Sequence, residues 1–446
     1  MNIGIIPKII LFVGVIASTT MSVEVKSNSI QPDYWNVSIN QNGIYRITYA
    51  DLTTFNIKPE TFNFSQLGIT YQGKPVPYYS NKSTGLWKQN DFIEFFGKEP
   101  QINNSEKDPY TKTNVYQLYC GTTAKTKYFK ELSNNNLLKS QFKPDIKQYI
   151  SKERFYWDIY YRYNSKDHQY PRIWYSSLFK APTTFNQIFT LPNIDLTTKD
   201  SSTRVSLRMV LQGESRPPVT PNHHAIVKIN SNPIANVWWS NVTEYVITTT
   251  FSLSLLTYNL NTLTIELPGD IKSNPPMDQI LLAGFDLMYP RQLNAHNDEI
   301  SAQLPVTKAS NIELCGFSNQ NISIYNLTDN TRINPYIIQN QENKNLYNAR
   351  FSVTGKDTTH IYAVTEKALK HPTKITPIFN ANIKLMKPAE YVILTHDSLA
   401  AELEKLVKHR KEQGYSVAVI KISDIYNEFN YGRFSPEAIK AFTKYA

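Results

Sequence analysis

Short runs of alternating apolar and polar residues dominate the chain from Tyr34 onward. In WNVSINQNGIYRITYADL the apolar residues alternate on both sides of Asn42-Gly43, which predicts two strands joined as a hairpin. LGITYQGKPVPYY turns at Gln72-Gly73, and DFIEFFG adds another strand. We therefore predict a first β domain over residues 30–130, followed by an Asn-rich linker from Ser133 to Phe142.

Two further β domains are predicted downstream. Residues 145–303 contain the short strands RFYWDIYYRY, STRVSLRMVLQG, AIVKIN, EYVITTTFS, NTLTIELPG and ILLAGFDLMYP. Their spacing is typical of an antiparallel, jelly-roll-like β-sandwich. Residues 306–385 contain NIELCGF, ISIYNL, ARFSVTG and HIYAVTE, which predict an Ig-like β domain.

The period of the apolar pattern changes after residue 390. YVILT and YSVAVIKI predict buried strands of a parallel sheet, and the leucine-rich segment between them has helical spacing. Asp397 or Ser398 is predicted to be the N-cap of that helix, and Gly414 is predicted to lie just past its end. A second helix is predicted with Ser435 as N-cap and Pro436 as its first residue. The order strand, helix, strand, helix indicates an α/β unit over residues 389–446.

Two strands with two helices cannot cover both faces of a parallel sheet. We therefore expect residues 389–446 to be a truncated α/β unit, the start of a longer domain. Active sites of such sheets lie at the carboxyl ends of several strands, so most of any site is expected beyond residue 446. The first turn, Thr395-His396-Asp397, lacks the GxGxxG motif, which argues against a dinucleotide site.

Composition agrees with a mostly β chain of consecutive antiparallel β-sandwich domains. The 446 residues include 29 Tyr and 21 Phe but only 15 Gly, a balance that favours strands. The 47 basic and 37 acidic residues give a net charge of +10. No run of five or more Lys/Arg occurs, and the basic segment Lys405 to Lys411 is interpreted as one solvated helix face. We therefore predict no nucleic-acid partner.

The amino terminus resembles a secretory signal peptide. Lys8 is followed by the apolar run Ile9 to Ala17 and then by small polar residues. This run is too short to span the roughly 30 Å hydrocarbon core of a bilayer, so no stable membrane span is predicted. We predict a signal peptide over residues 1–22, with cleavage near Ala17 or Ser22, and a secreted or cell-surface protein.

Cys120 and Cys315 both lie in strand-like stretches. A nucleophilic thiol requires a base within hydrogen-bond reach, and neither cysteine has a nearby His in the sequence. We interpret both as buried structural thiols. A disulfide between them stays open, because spacing alone does not decide pairing.

Two pairs of adjacent residues, His223-His224 and Trp238-Trp239, are candidates for ligand binding. His223-His224 could ligate a metal, but consecutive side chains of a strand diverge and no carboxylate or Cys is near in sequence, so no metal is predicted. Trp238-Trp239 could stack on a ligand such as a sugar. Because adjacent strand residues face opposite sides, at most one of these Trp could line a site, and core packing is favoured for the pair.

The segment from Ala389 to Ala446 resembles the opening of the catalytic domain of gingipain-family cysteine peptidases. The matching elements are the strand ending in Thr395-His396, the helix leading to EQGY, the IYNEF stretch, and the run from Gly432 to Ile439. Upstream, NGIYRITYADL, DFIEFFG and FDLMYPR resemble the β-rich regions that precede this domain in large secreted members.

This resemblance implies a caspase-like fold and a Cys-His dyad that transfers an acyl group to water. In the family both dyad residues come from later strand-helix units, and no residue of this chain matches either. His396 lies at the end of the first strand and does not align with the dyad His. We therefore assign no catalytic residue and no cofactor, and we expect no peptidase activity from these residues alone.

Three functional hypotheses follow. The first is the N-terminal portion of a secreted gingipain-like cysteine endopeptidase that acts on proteins or peptides. The second is a sortase-like transpeptidase of the type IX secretion system, with the secretion machinery as a partner. The third is a non-catalytic β-sandwich surface protein for adhesion or carbohydrate binding, which Trp238-Trp239 motivates.

Overall fold

The computed structural model describes residues 8–11, 32–102, 106–108, 110–121, 127–133, 142–162, 174–197, 203–273 and 277–446. The chain divides into two compact units. Unit 1 is Met1–Phe129 together with Leu369–Ala446, and unit 2 is Lys130–Ala368. Unit 2 is thus inserted in sequence between the two segments of unit 1. The mostly β fold predicted from the sequence is confirmed.

The first segment of unit 1 contains β1 (Lys8–Leu11), β2 (Tyr34–Ile39), β3 (Gly43–Thr48), α1 (Tyr49–Thr54), β4 (Leu67–Tyr71), β5 (Lys74–Pro75), β6 (Tyr78–Ser80), β7 (Phe92–Gly97), β8 (Gln101–Ile102), β9 (Glu106–Lys107) and β10 (Asn114–Cys120). Unit 2 contains β11 (Lys130–Ser133), β12 (Gln148–Tyr156), β13 (Tyr160–Tyr161), β14 (Trp174–Tyr175), β15 (Ser177–Lys180), β16 (Thr183–Phe189), β17 (Arg204–Gly213), β18 (His223–Ile229), β19 (Asn232–Trp239), β20 (Glu244–Ser252), β21 (Asn261–Leu267), β22 (Gln279–Gln292), β23 (Glu299–Val306), β24 (Ser310–Phe317), β25 (Ile322–Asn326), β26 (Thr331–Asn334), β27 (Tyr336–Gln339), β28 (Tyr347–Val353) and β29 (Asp357–Thr365). The second segment of unit 1 contains β30 (Lys374–Ile378), β31 (Tyr391–Thr395), α2 (Glu404–Glu412), β32 (Val417–Lys421), α3 (Ile422–Asn430) and α4 (Pro436–Tyr445). Short 3-10 helices cover Pro59–Thr61, Phe64–Gln66, Leu253–Leu255, Glu366–Ala368, Ile383–Leu385 and Asp397–Leu403.

The β part of unit 1 has two larger antiparallel sheets around one core, besides the two-stranded sheet β8-β9. One sheet has the order β30-β2-β10-β4-β5 and the other has the order β3-β7-β6. Strand residues of both sheets, such as Val37 and Ile47, are fully buried in the same apolar cluster. In this cluster the rings of Phe64 and Trp87 stack with centroids 4.7 Å apart. The apolar residues Val37, Ile39, Ile44 and Ile47 of the alternating pattern are all buried, but several residues between them are buried too.

The predicted hairpin at Asn42-Gly43 is wrong. β2 pairs with β10 and β30, whereas β3 pairs with β7, so the two strands belong to different sheets. Both strands are buried on both faces for most of their length. The turn at Gln72-Gly73 does join paired strands, with φ of 49° and 73° at these two residues, as a tight hairpin requires.

The third predicted β domain, residues 306–385, has different limits in the structure. β30 pairs with β2 in unit 1 rather than with strands of unit 2, as shown by the register Val37 opposite Ile375. Conversely, β11 and β23 join β25, β26 and β29 in one sheet of unit 2. The run Lys374–Ile378 alternates like any other strand, so its pattern carries no information on which sheet it enters.

Where the chain returns to unit 1, His371 contacts the capping box of α1. The Nδ1 atom of His371 lies 3.0 Å from Asp51 Oδ2. The hydrogen bond and the charge of Asp51 raise the pKa of His371, although partial burial opposes this. Burial raises the pKa of Asp51, but the hydrogen bonds from His371 and Thr48 outweigh it and leave that pKa lowered.

We expect the stabilisation that this contact gives to unit 1 to be lost above neutral pH. Because its folded pKa is raised, His371 contributes stability fully below its unfolded pKa of about 6.5, and this contribution is lost as pH rises through the folded value. Because the folded pKa of Asp51 is lowered, the contribution of Asp51 to stability is lost only as pH falls through that folded pKa. The His371 side chain is half-exposed, so the effect should be under about 1 kcal/mol. Melting temperatures between pH 5 and 9 should converge for wild type and His371→Gln at high pH; a constant difference would contradict this.

Unit 2 contains two β-sandwiches. In the first, the sheet β12-β22-β17-β20 faces the sheet β16-β21-β18-β19, with a core that includes Met209, Leu263 and Phe285. In the second, the sheet β11-β26-β25-β29-β23 faces β24-β28-β27. Of the predicted linker Ser133 to Phe142, Ser133 ends β11, and residues 134–141 lie outside the described residues.

The second segment of unit 1 forms the α/β part predicted from the change of period. β31 and β32 pair in parallel, and their buried residues Leu394 and Ile420 pack with Ile425 of α3 and Phe442 of α4. α4 begins at Pro436 with a Ser435 cap, as predicted. Helix α3 was not predicted, because its nine residues, ISDIYNEFN, are rich in β-branched and aromatic side chains that have low helix propensity.

β1 also pairs in parallel with β31. Most of the predicted signal peptide, residues 1–22, lies outside the described residues, and the signal peptide stays a prediction. Within the described ranges, no helix is long and apolar enough to cross a membrane.

Candidate functional site

The carboxyl ends of β31 and β32 form the edge where a parallel sheet normally carries its site. Thr395 ends β31 in a buried position, and the next residue, His396, is exposed. The Nδ1 atom of His396 accepts a hydrogen bond from the backbone N–H of Ser398 at 3.3 Å. His396 itself therefore caps the 3-10 turn that leads to α2, in place of the predicted caps Asp397 or Ser398.

The loops after the two strands meet at this edge. The hydroxyl of Ser423, at the start of α3, donates to Asp397 Oδ1 at 2.7 Å. Burial raises the pKa of Asp424, the neighbouring carboxyl, with Lys421 opposing and Asp397 adding to the increase. Sequence reasoning singled out His396 and Asp397 but missed Ser423 and Asp424, because the start of α3 was not predicted. The edge offers carboxylates and a hydroxyl but no thiol.

Both thiols of the chain lie elsewhere. Cys120 ends β10 and Cys315 lies in β24, and both are free and partly buried. Burial raises the pKa of Cys120, and burial together with the Glu313 carboxylate raises the pKa of Cys315 to about 12. No imidazole is among the groups that influence either thiol. These surroundings disfavour the thiolate form that a nucleophilic cysteine requires. The predicted burial holds only in part, because both cysteines are partly exposed.

His223 and His224 have carboxylate neighbours that are distant in sequence. His223 Nδ1 lies 2.7 Å from Asp278 Oδ1, and both side chains are buried. His224 Nδ1 lies 2.9 Å from both carboxylate oxygens of Asp270, on the opposite side of the strand. Each imidazole thus has a carboxylate of its own, 46 or 55 residues away in the chain, which the sequence could not reveal. In the part of the chain that the structure describes, no group of three or more potential metal ligands comes together.

The two tryptophans after these histidines differ in environment. Trp239 is 6% exposed and packs in the core of the first sandwich of unit 2, whereas Trp238 is 44% exposed. The predicted alternation is confirmed. The preference for core packing holds for Trp239 and is wrong for Trp238.

The loop between α3 and α4 docks on the β part of unit 1. Gly432 has φ of 82°, and a Cβ atom there would lie 2.3 Å from the side-chain nitrogen of Asn36 in β2. The next residue, Arg433, donates to the carbonyl oxygen of Gln101 at 3.2 Å and forms an ion pair with Asp108. Asn36 also donates to Asn427 of α3 at 2.9 Å. Asn36 thus connects the α/β part to the sheet that contains β2, and Arg433 connects it to the β8–β9 segment.

Comparisons with known proteins identify this region. Residues 384–446 match the model of peptidase family C25. No curated protein matches the sequence. Among solved structures, dimeric latent PorU from Porphyromonas gingivalis aligns with a TM-score of 0.62 and 15% identity, covering 93% of this chain and 39% of PorU. The chain thus spans well under half the length of that protein.

A weaker alignment, with the extracellular domain of ANXUR2 from Arabidopsis thaliana, covers 58% of this chain and 83% of that one. Its TM-score of 0.21 and 7% identity carry no argument. The likeness to PorU supports the β-rich fold, and the family model supports the predicted resemblance independently of it. Residues 384–446 therefore match peptidase family C25, the gingipain family, as the sequence of the α/β unit predicts.

Proposed function

We propose that this chain is the N-terminal portion of an exported gingipain-like cysteine endopeptidase. The observation that carries the proposal is the family C25 match over residues 384–446, which coincides with the parallel strands β31 and β32 and the helices packed on them. In this proposal the Cys-His dyad belongs to strand-helix units that follow residue 446. The residues described here supply the first strands of the catalytic sheet and the β domains that support it.

The chemistry assigned to the dyad is acyl transfer. A thiolate attacks the peptide carbonyl, an imidazole gives a proton to the leaving amine, and water then hydrolyses the thioester. Backbone N–H groups stabilise the oxyanion formed in each step. Burial raises the pKa of Cys120 and of Cys315, which disfavours either of them in the role of this thiolate.

The second candidate is the sortase-like transpeptidase of the type IX secretion system. The fold likeness to PorU supports this second candidate, because it covers 93% of the chain and so includes the β-rich domains as well as the α/β part. An endopeptidase passes the acyl group to water, whereas a transpeptidase passes it to an amine of a second substrate. The two candidates therefore differ in the acceptor and in the substrates.

Incubation of the full-length gene product with two substrates separates the candidates. One substrate is a general peptide mixture, and the other is an exported protein that carries a C-terminal sorting domain. We expect the general mixture to be cleaved if the protein is an endopeptidase. Cleavage confined to the sorting-domain substrate, with an added amine joined to the product, would support the transpeptidase instead.

The isolated 446-residue chain is expected to be inactive toward the same peptide mixture. The measurement is product formation by mass spectrometry, with and without a thiol-alkylating reagent. Hydrolysis by this chain that the reagent abolishes would overturn the placement of the dyad beyond residue 446.

A further inference from the structure

The outer face of the sheet β16-β21-β18-β19 carries an exposed indole on a rigid base. Trp238 lies on the edge strand β19, opposite His224 of β18. The imidazole of His224 stacks on one face of the indole, with ring centroids 3.6 Å apart and planes at 12°. Since 44% of Trp238 is exposed and one ring face is covered by His224, solvent reaches the indole from its other side.

The base of this platform is held by hydrogen bonds. His224 is 4% exposed, and its Nδ1 contacts both oxygens of Asp270 at 2.9 Å. Its Nε2 lies 2.8 Å from Oδ1 of Asn236 on the edge strand. Because both ring nitrogens of His224 have hydrogen-bond partners, the imidazole is held in one orientation. The indole of Trp238, which stacks on it, is held in place as well. A ligand that stacks on Trp238 would therefore lose little free energy to ordering the side chain.

Hydrogen-bonding side chains surround the platform on the same face. Residues 224, 226 and 228 of β18 share this face, and Ile226 has Asn236 and Glu266 as its cross-strand neighbours. Lys228 forms a 2.6 Å ion pair with Glu266. The carboxylate of Asp270, which holds His224, is 46% exposed. The face thus combines one aromatic ring with amide, carboxylate and ammonium groups.

We propose that this face binds a saccharide, with Trp238 as the stacking platform. A pyranose ring presents C–H groups on its faces and hydroxyls around its edge, so it can stack on an indole while its hydroxyls bond to neighbouring polar side chains. Large contiguous apolar patches mark many protein–protein sites, whereas here polar side chains flank the single indole. The binding does not depend on peptidase activity, so the two proposals fail independently.

The test uses the 446-residue chain and a panel of soluble hexasaccharides of glucose, mannose and N-acetylglucosamine. Isothermal titration calorimetry should detect saturable binding of at least one of them. Trp238→Ala should weaken this binding more than tenfold, whereas Trp238→Phe should retain it within about threefold. Tyr258→Ala, which removes another exposed aromatic side chain of unit 2, should leave it unchanged. No saturable binding by the wild type, or equal affinity of Trp238→Ala, would overturn the proposal.

A second measurement avoids any variant. N-bromosuccinimide oxidises exposed indoles, and peptide mass spectrometry locates the oxidised residue. The bound hexasaccharide should protect Trp238 in the wild-type chain, even if Trp238→Ala fails to fold. Oxidation of Trp238 at the same rate with and without saturating saccharide would exclude it as the platform.

Discussion

Replacement of Arg433 by alanine is expected to destabilise unit 1 by about 3 kcal/mol and to detach the α3–α4 loop from the β8–β9 segment. The Asp108 side chain is 4% exposed and the Arg433 side chain 11%, so the ion pair is almost entirely removed from water. Loss of the guanidinium leaves a buried carboxylate, and the backbone N–H of Tyr110 compensates only part of its charge. The contact to the Gln101 carbonyl is lost as well.

Hydrogen exchange by mass spectrometry measures this effect locally. Peptides from α3, α4 and β2 should exchange faster in Arg433→Ala, whereas peptides from unit 2 should be unaffected. Lys440→Ala is the matched control, since its ion pair with Glu437 is exposed and contributes under about 0.5 kcal/mol. Arg433→Lys should fall between the two because an ammonium cannot reproduce the forked donors. Equal exchange in Arg433→Ala and Lys440→Ala would show that the docked loop does not hold the α/β part in place.

Replacement of Glu94 by alanine is expected to have the largest effect in the β part of unit 1. Glu94 is fully buried in β7, and its Oε1 accepts from Nε and Nη2 of Arg46 in β3 at 2.8 Å and 2.6 Å. The two residues are directly opposite in the β3–β7 ladder. Removal of one partner from a buried ion pair typically costs about 3–5 kcal/mol.

Urea denaturation followed by the fluorescence of unit 1 tryptophans measures this loss. Glu94→Gln should cost less than Glu94→Ala, since the amide oxygen still accepts a hydrogen bond from Arg46. Glu412→Ala is the control, because its pair with Lys408 also belongs to unit 1 and is exposed on both sides. If Glu94→Ala shifts the urea midpoint no more than Glu412→Ala does, the buried pair contributes no net stability.

The sequence predicts local features well and pairing between distant segments poorly. The change of period at residue 390 identifies the parallel strands β31 and β32, because buried parallel strands are continuously apolar. Asn42-Gly43 fits a hairpin turn by its residue types, yet the strands beside it enter different sheets. Turn chemistry is local, whereas the sheet that a strand joins depends on contacts across the whole core.

The same limit applies to the candidate sites. The opposite orientations of Trp238 and Trp239 follow from strand geometry and were predictable. The carboxylates of Asp270 and Asp278 reach His224 and His223 from a segment that follows three intervening strands, so only the fold reveals them. Ser423 and Asp397 meet at the sheet edge for the same reason.

The proposed cysteine peptidase is tested most directly by locating its reactive thiol. The full-length gene product is treated with a thiol-reactive peptidyl inhibitor, and the labelled residue is mapped by tandem mass spectrometry. We predict a single label on a cysteine that follows residue 446, with loss of peptide hydrolysis in proportion to labelling, and no label on Cys120 or Cys315. Hydrolysis that persists after complete labelling, or inactivation that maps to Cys120 or Cys315, would contradict the proposal.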